Sequence, residues 1–196
     1  MKKEDLNLVA MEVQTSVSFT AFMTGVTLFF VGLLISQFKV FNSSINIPIL
    51  FLIISTFGFL YATLIFANAS GKVARSLDKE VQKDLNHGNA LSEYLGVYLL
   101  ILAIPLVINI ISLDNFLKIA TIIAALGGLI FYHVSGFSIM GRAYEKLHYL
   151  FLSLIVIFEL LLYFFQFVNK FNFTLLAILM IVMLFSIAVF SDEKVY

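Results

Sequence analysis

The chain has 196 residues, 61% of them hydrophobic and only 12% charged, with twelve basic residues balanced by twelve acidic ones. Soluble domains carry roughly 25% charged residues, so a water-soluble globule is excluded, and a formal net charge of zero gives no reason to expect a nucleic-acid partner. The absence of cysteine removes disulfides, thiol chemistry and cysteine metal sites.

Six runs are free of charge or nearly so: Val13–Phe38, Val40–Gly71, Tyr94–Leu113, Ile119–Gly141, Tyr149–Asn169 (interrupted by Glu159) and Phe171–Ser191. Each meets the roughly 20 apolar residues that a helix needs to cross about 30 Å of hydrocarbon. The sequence therefore predicts an all-α integral membrane protein of one domain, residues 1–196, with spans near 17–38, 47–69, 93–113, 116–140, 147–168 and 172–190. The first run is too long for the apolar core of a cleaved secretory signal.

Span one is the most polar. Glu12, Ser16, Thr20, Thr24 and Thr27 step by four, four, four and three, which gathers them within about a third of the helix circumference. Such a hydroxyl face suits the wall of a cation or water path, and it equally suits close helix packing. Span two opens at Pro48, a helix-start proline.

The long connection that follows carries Val73, Leu77, Val81 and Leu85 every four residues, with Lys72, Arg75, Lys79 and Lys83 beside them. This pattern predicts an amphipathic helix near 72–85, lying on the membrane surface or contacting a cytoplasmic partner. A solvated extension of span two is the plainer alternative. Asn86-His87-Gly88-Asn89 resembles a glycine-type helix end followed by a new N-cap. Asp78, Glu80 and Asp84 dilute the basic face.

Span three contains Pro105, which leaves the carbonyl of Ile101 without its usual helical donor, and Asn109 one turn later. Span four carries His133 in its last part, and imidazole titrates near neutrality. In span five Glu159 is the one acid deep in an apolar run. About 1.5 Å per residue from Lys146 places it roughly 20 Å in, near the midplane. A carboxylate there must be protonated, paired or open to water, so it is either a proton or cation site or a hydrogen-bonded structural acid. His133 is its best sequence-level partner. His87, His133 and His148 share no metal-ligand spacing, and no metal or cofactor is expected.

Nine basic residues (Lys2, Lys3, Lys72, Arg75, Lys79, Lys83, Arg142, Lys146 and Lys194) fall on one side of this layout, against Lys39, Lys118 and Lys170 on the other. The positive-inside rule then predicts cytoplasmic termini, three antiparallel hairpins, and residence in the plasma (cytoplasmic) membrane. A shift of 70 positions pairs Gly58 with Gly128, Tyr61 with Phe131, Gly71 with Gly141 and Lys72 with Arg142, an echo of the parallel repeats found in transporters. A second echo sets Phe137-Ser138-Ile139 against Phe185-Ser186-Ile187.

No enzyme motif is present. The functional expectation is a channel or transporter for a cation or protons, assembled as a homo-oligomer in the lipid bilayer. Glu159, His133, Thr20, Thr24 and Thr27 are the pathway candidates. The rival is a non-transporting scaffold, assembly or sensor protein whose Lys72, Arg75, Lys79 and Lys83 face contacts a cytoplasmic partner. An enzyme acting on lipid is a third reading, and a lipid-sized polar cleft would favour it.

Overall fold

A computed structural model of the chain describes residues 3–37, 45–75, 78–135, 146–168 and 173–192. The helices are α1 (Lys3–Ser36), α2 (Asn46–Val73), α3 (Asp78–Ala90), a π-helical segment (Leu91–Tyr98), α4 (Leu99–Ile111), α5 (Asn115–Val134), α6 (His148–Val168) and α7 (Phe173–Asp192). Six stretches are long and apolar enough to cross a membrane, at Asn7–Ser36, Asn46–Val73, Lys79–Ile111, Asn115–Val134, His148–Gln166 and Phe173–Ser191. All-helical architecture with six spans thus follows the hydropathy pattern. α1 and α2 run antiparallel, with Thr20 beside Thr63 and Thr27 beside Thr56, and the end of the bundle where α1 begins and α2 ends is called here the terminal end.

α2 is the central helix. It packs along α1 on one side and against α3, the π segment and α4 on the other. α1 and α2 meet in a regular antiparallel register, with Thr20 opposite Thr63 and Thr27 opposite Thr56. The pairs lie seven residues apart on both helices, the spacing of a left-handed helix seam. Val13 joins Ala69 and Val73 at the terminal end of this seam, and Val31 and Leu34 join Ile49 and Leu52 at the other.

The third span is one long helix, because α3, the π segment and α4 follow one another without a break. The helix end anticipated at Asn86–Asn89 does not occur, and the helix begins at Asp78 instead of near residue 72. Gly88 is there for packing, since a Cβ at this position would lie 2.5 Å from the Phe66 ring. Val81 and Leu85 are buried with Ala62, Phe66 and Ala69, so the apolar stripe of α3 packs on α2. Leu77, the remaining member of that stripe, lies outside the described residues.

Within the π segment α2 comes into backbone contact. A Cβ on Gly58 would sit 2.8 Å from the Gly96 nitrogen, and Ser55 donates a 2.7 Å hydrogen bond to the Gly96 carbonyl. The wider π turn leaves backbone carbonyls poorly matched to helical donors, and Ser55 supplies one from outside. Small residues at such a crossing are the usual route to close approach in a membrane.

Asp114 ends the short link after α4 by capping α5, its carboxylate accepting from the backbone N–H groups of Phe116 and Leu117. α5 packs on α4, α6 on α4 and α7, and α7 on the α3–π half of the third span. The buried faces of α6 (Leu152, Ile155, Glu159, Leu162, Gln166) and α7 (Ala177, Met180, Leu184, Ile187, Ser191) alternate by three and four, as two-helix seams do. Gly58 and Gly128 are not packed alike: Gly58 touches the third span, whereas a Cβ on Gly128 meets nothing within 4 Å. Tyr61 and Phe131 are both exposed, and the remaining echoes involve Gly141, Arg142 and 137–139, outside the described residues.

Candidate functional site

A crevice separates α1 from the third span, with α2 as its floor. Towards the terminal end it widens into a cavity of about 720 Å³. Thr15, Ser16, Phe19 and Thr20 of α1 form one wall, and Asn89, Ser92, Glu93 and Val97 of the third span form the opposite wall. Phe66 of α2 and Tyr132 of α5 complete it. Glu93 is only 3% exposed, and it sits in the π segment, where the extra residue per turn alters which side chains point the same way. π turns concentrate at functional sites for this reason.

Sequence reading passed over Glu93. A helix end at Asn86–Asn89 and a span starting near residue 93 leave Glu93 at the edge of span three, outside its apolar run. The continuous helix makes it a buried acid beside three hydroxyl-bearing residues of α1. The signal available was the cluster Asn89, Ser92 and Glu93 spaced three and one apart, on a helix that had to continue inward.

The pathway residues expected from sequence fall in three separate places. Thr20 and Thr27 belong to the α1–α2 seam: the Thr63 hydroxyl donates to Thr20 at 2.8 Å, and the Thr56 hydroxyl donates to Thr27 at 2.9 Å. Thr20 also borders the cavity. The Thr24 hydroxyl donates to the Thr20 carbonyl one turn back, at 2.8 Å.

His133 is buried between α5 and the start of α6. Its ring stacks on His148 with centroids 5.2 Å apart and meets Tyr149 edge-on at 6.1 Å. Neither ring nitrogen has a hydrogen-bond partner among the described residues.

Glu159 lies elsewhere. It is fully buried in the α6 seam, and neither carboxyl oxygen has a hydrogen-bond partner among the described residues. His133 is therefore not its partner, for it faces His148, eleven residues or about 16 Å before Glu159 along α6. One turn beyond Glu159, the backbone carbonyl of Tyr163 accepts a 3.3 Å hydrogen bond from Asn109. Asn109 also donates to Gln166 at 2.8 Å, and Gln166 donates to the Leu106 carbonyl at 2.9 Å. This amide pair ties α6 to α4 next to Pro105. Gln166, unremarked in the sequence, was detectable as a lone amide on the same three–four stripe as Glu159.

Of the basic group, Lys72 closes the α2–α3 turn. It bridges to Asp84 at 2.9 Å and to Glu80 at 3.7 Å, while Asn68 also donates to Asp84 at 3.0 Å. Arg75, Lys79 and Lys83 remain exposed at the terminal end. Among the described residues no group of three or more His, Asp or Glu side chains could hold a metal ion. No protein-family model, curated protein or solved structure gives a significant match to this chain.

Proposed function

We propose that the protein is a transporter or channel for a cation or for protons, working as a homo-oligomer, with the Glu93 cavity as its cation site and Glu159 as a membrane-embedded proton site. The observation that carries the reading is Glu93 itself: a buried acid on the wall of a hydroxyl-rich cavity of about 720 Å³ within the membrane-spanning bundle. A carboxylate with hydroxyl and amide oxygens nearby is the donor set that replaces the hydration shell of a cation.

Glu159 supports the same reading by a different route. The other four buried positions of its stripe are Leu152, Ile155, Leu162 and Gln166, three of them apolar and the fourth hydrogen-bonded. An acid with no hydrogen-bond partner among the described residues gains the fold nothing there, since buried ionisable groups are commonly replaced by apolar ones without loss of stability. Intramembrane acids mark ion and proton pathways. His133 is a weaker pathway candidate because its imidazole faces His148 and lies apart from both acids.

The partner-binding reading has one observation in its favour, the exposed Arg75, Lys79 and Lys83 at the terminal end.

Flux from proteoliposomes tests the proposal, with Na⁺, K⁺ and a proton gradient as separate drives. The expected result is flux that Glu93→Gln reduces at least tenfold in a protein of normal melting temperature. Equal flux in the two proteins, or no flux above empty vesicles under any drive, overturns it.

A further inference from the structure

Folding brings together two histidines that no sequence motif joins. His133 lies in the last turn of α5 and His148 opens α6, and their ring centroids are 5.2 Å apart. His133 is buried, and its two ring nitrogens have no hydrogen-bond partner among the described residues. His148 is half-buried, and its ring lies against that of Tyr149, with centroids 3.9 Å apart. Lys146, Leu147 and Tyr149 beside it are exposed. A lysine next to the start of a span marks the edge of the bilayer, so an ion arriving from water reaches the pair without crossing hydrocarbon.

We propose that His133 and His148 form a binding site for a divalent transition-metal ion, which takes one nitrogen from each ring and completes its coordination with water. Neutral imidazole is the commonest protein ligand for such ions, and it suits zinc, copper and nickel. Two imidazoles on one tetrahedral ion, with metal–nitrogen distances of about 2.0–2.1 Å, have ring centroids about 5 Å apart. The observed 5.2 Å matches that separation. The ring planes lie 29° from parallel. Turning a ring about χ2, a broad torsion, aims a nitrogen at the shared ion, while the centroid, which lies near the rotation axis, stays in place.

Ring packing alone accounts for the contact but not for the residue type. Phenylalanine, of which the chain has 22, would fill the place of His133 without burying unmatched nitrogens, and such groups call for an ion or a water. Among the described residues no carboxylate joins the pair, so the site does not suit magnesium or calcium, which take oxygen ligands. α5 packs on α4, and α6 on α4 and α7. An ion held by one imidazole from each would clasp α5 to α6 directly, beside Tyr132, which borders the Glu93 cavity. The site uses neither Glu93 nor Glu159, and it stands or falls independently of the transport proposal.

The test uses the full, untagged chain in phosphatidylcholine nanodiscs, with Zn²⁺, Cu²⁺ and Mg²⁺ added separately. Zn²⁺ at about one hundred times its dissociation constant should raise the melting temperature by about 5–10 °C, and Mg²⁺ should leave it unchanged. Bound Cu²⁺ should give an electron paramagnetic resonance spectrum with hyperfine splitting from two nitrogens. His133→Phe and His148→Phe, which keep a ring in each place, should each abolish the Zn²⁺ shift and the two-nitrogen pattern. His87→Ala should change neither. No Zn²⁺ shift, an equal shift with Mg²⁺, or a two-nitrogen spectrum that persists in either phenylalanine variant overturns the inference. The Cu²⁺ spectrum reports ligation and not stability, so the half-buried His148 decides the matter even where His133→Phe does not fold.

Discussion

At the residue scale the decisive fact is how differently the membrane-embedded polar groups are used. Thr20 and Thr27 spend their hydroxyls on α2 as well as on their own helix, so the stripe read from sequence as a possible path wall is largely a packing seam. A double-mutant cycle on Thr20→Val and Thr63→Val should return a coupling of about 0.6 kcal/mol, the average for interhelical hydrogen bonds in a membrane. Thr24→Val should cost less than about 0.5 kcal/mol, because its hydroxyl serves only its own helix. Equal losses at Thr20 and Thr24, measured by steric-trap unfolding or melting in nanodiscs, would remove the seam argument. Glu159 behaves oppositely. Its carboxyl satisfies nothing among the described residues, so Glu159→Gln should retain the melting temperature within about 3 °C. On the proton-site reading the same variant should lose pH-gradient-driven flux. A well-folded Glu159→Gln protein with full flux makes the residue structural. The acid was visible in the sequence as an isolated charge in an apolar run. That it meets no hydrogen-bond partner among the described residues was not, because contact between α5 and α6 depends on which faces meet, and neither face differs in hydropathy from the lipid side.

At the element scale the third span carries the most information, and it is where sequence reasoning went astray. A glycine flanked by asparagines ordinarily ends a helix in water, where the freed carbonyls are solvated. Within a packed bundle the same glycine makes room for the Phe66 ring, and the helix continues. The π segment beyond it could not be read from side chains, because what stabilises it is remote: the Ser55 hydroxyl on the Gly96 carbonyl, 41 residues away in sequence. The crossing also sets an order of cost. Gly58→Ala places a methyl group 2.8 Å from backbone atoms of Leu95 and Gly96, which cannot rotate aside. It should destabilise by about 1–3 kcal/mol, as overpacking does. Gly25→Ala, with nothing within 4 Å, should be neutral or gain up to about 1 kcal/mol from helix propensity. The cavity depends on the same crossing, so Gly58→Ala should weaken Glu93-dependent flux in parallel with its loss of stability. A Cβ at Gly25 meets nothing within 4 Å, so Gly25→Ala should leave the melting temperature unchanged or raised. A Gly58→Ala protein as stable as the unmodified one would show that the crossing is not tight.

At the scale of the whole molecule, number and length of spans were legible because hydrophobic length is a local property of the chain. Which spans touch was not, since lipid tails are as apolar as leucine and a buried face reads like an exposed one. Phe22 and Phe29 stand exposed on α1 while Phe51 and Phe59 are sealed in α2, yet nothing in the composition of those two runs separates them. Orientation is different again, because it is decided by flanking charge and not by packing. The sequence layout, with nine basic residues flanking one side of the six spans against three on the other, predicts that the terminal end faces the cytoplasm. The cation site would then open towards the cytoplasm, and export or import would differ in which way the crevice must next open. The cysteine-free chain allows a direct measurement. Leu113, in the link before α5, is 97% exposed, and Lys79 is exposed at the opposite end. In intact cells an impermeant maleimide should label Leu113→Cys at once and Lys79→Cys only after permeabilisation. The reverse pattern would invert the protein and place the Glu93 cavity on the outer side, and labelling of both from one side would break the six-span fold itself.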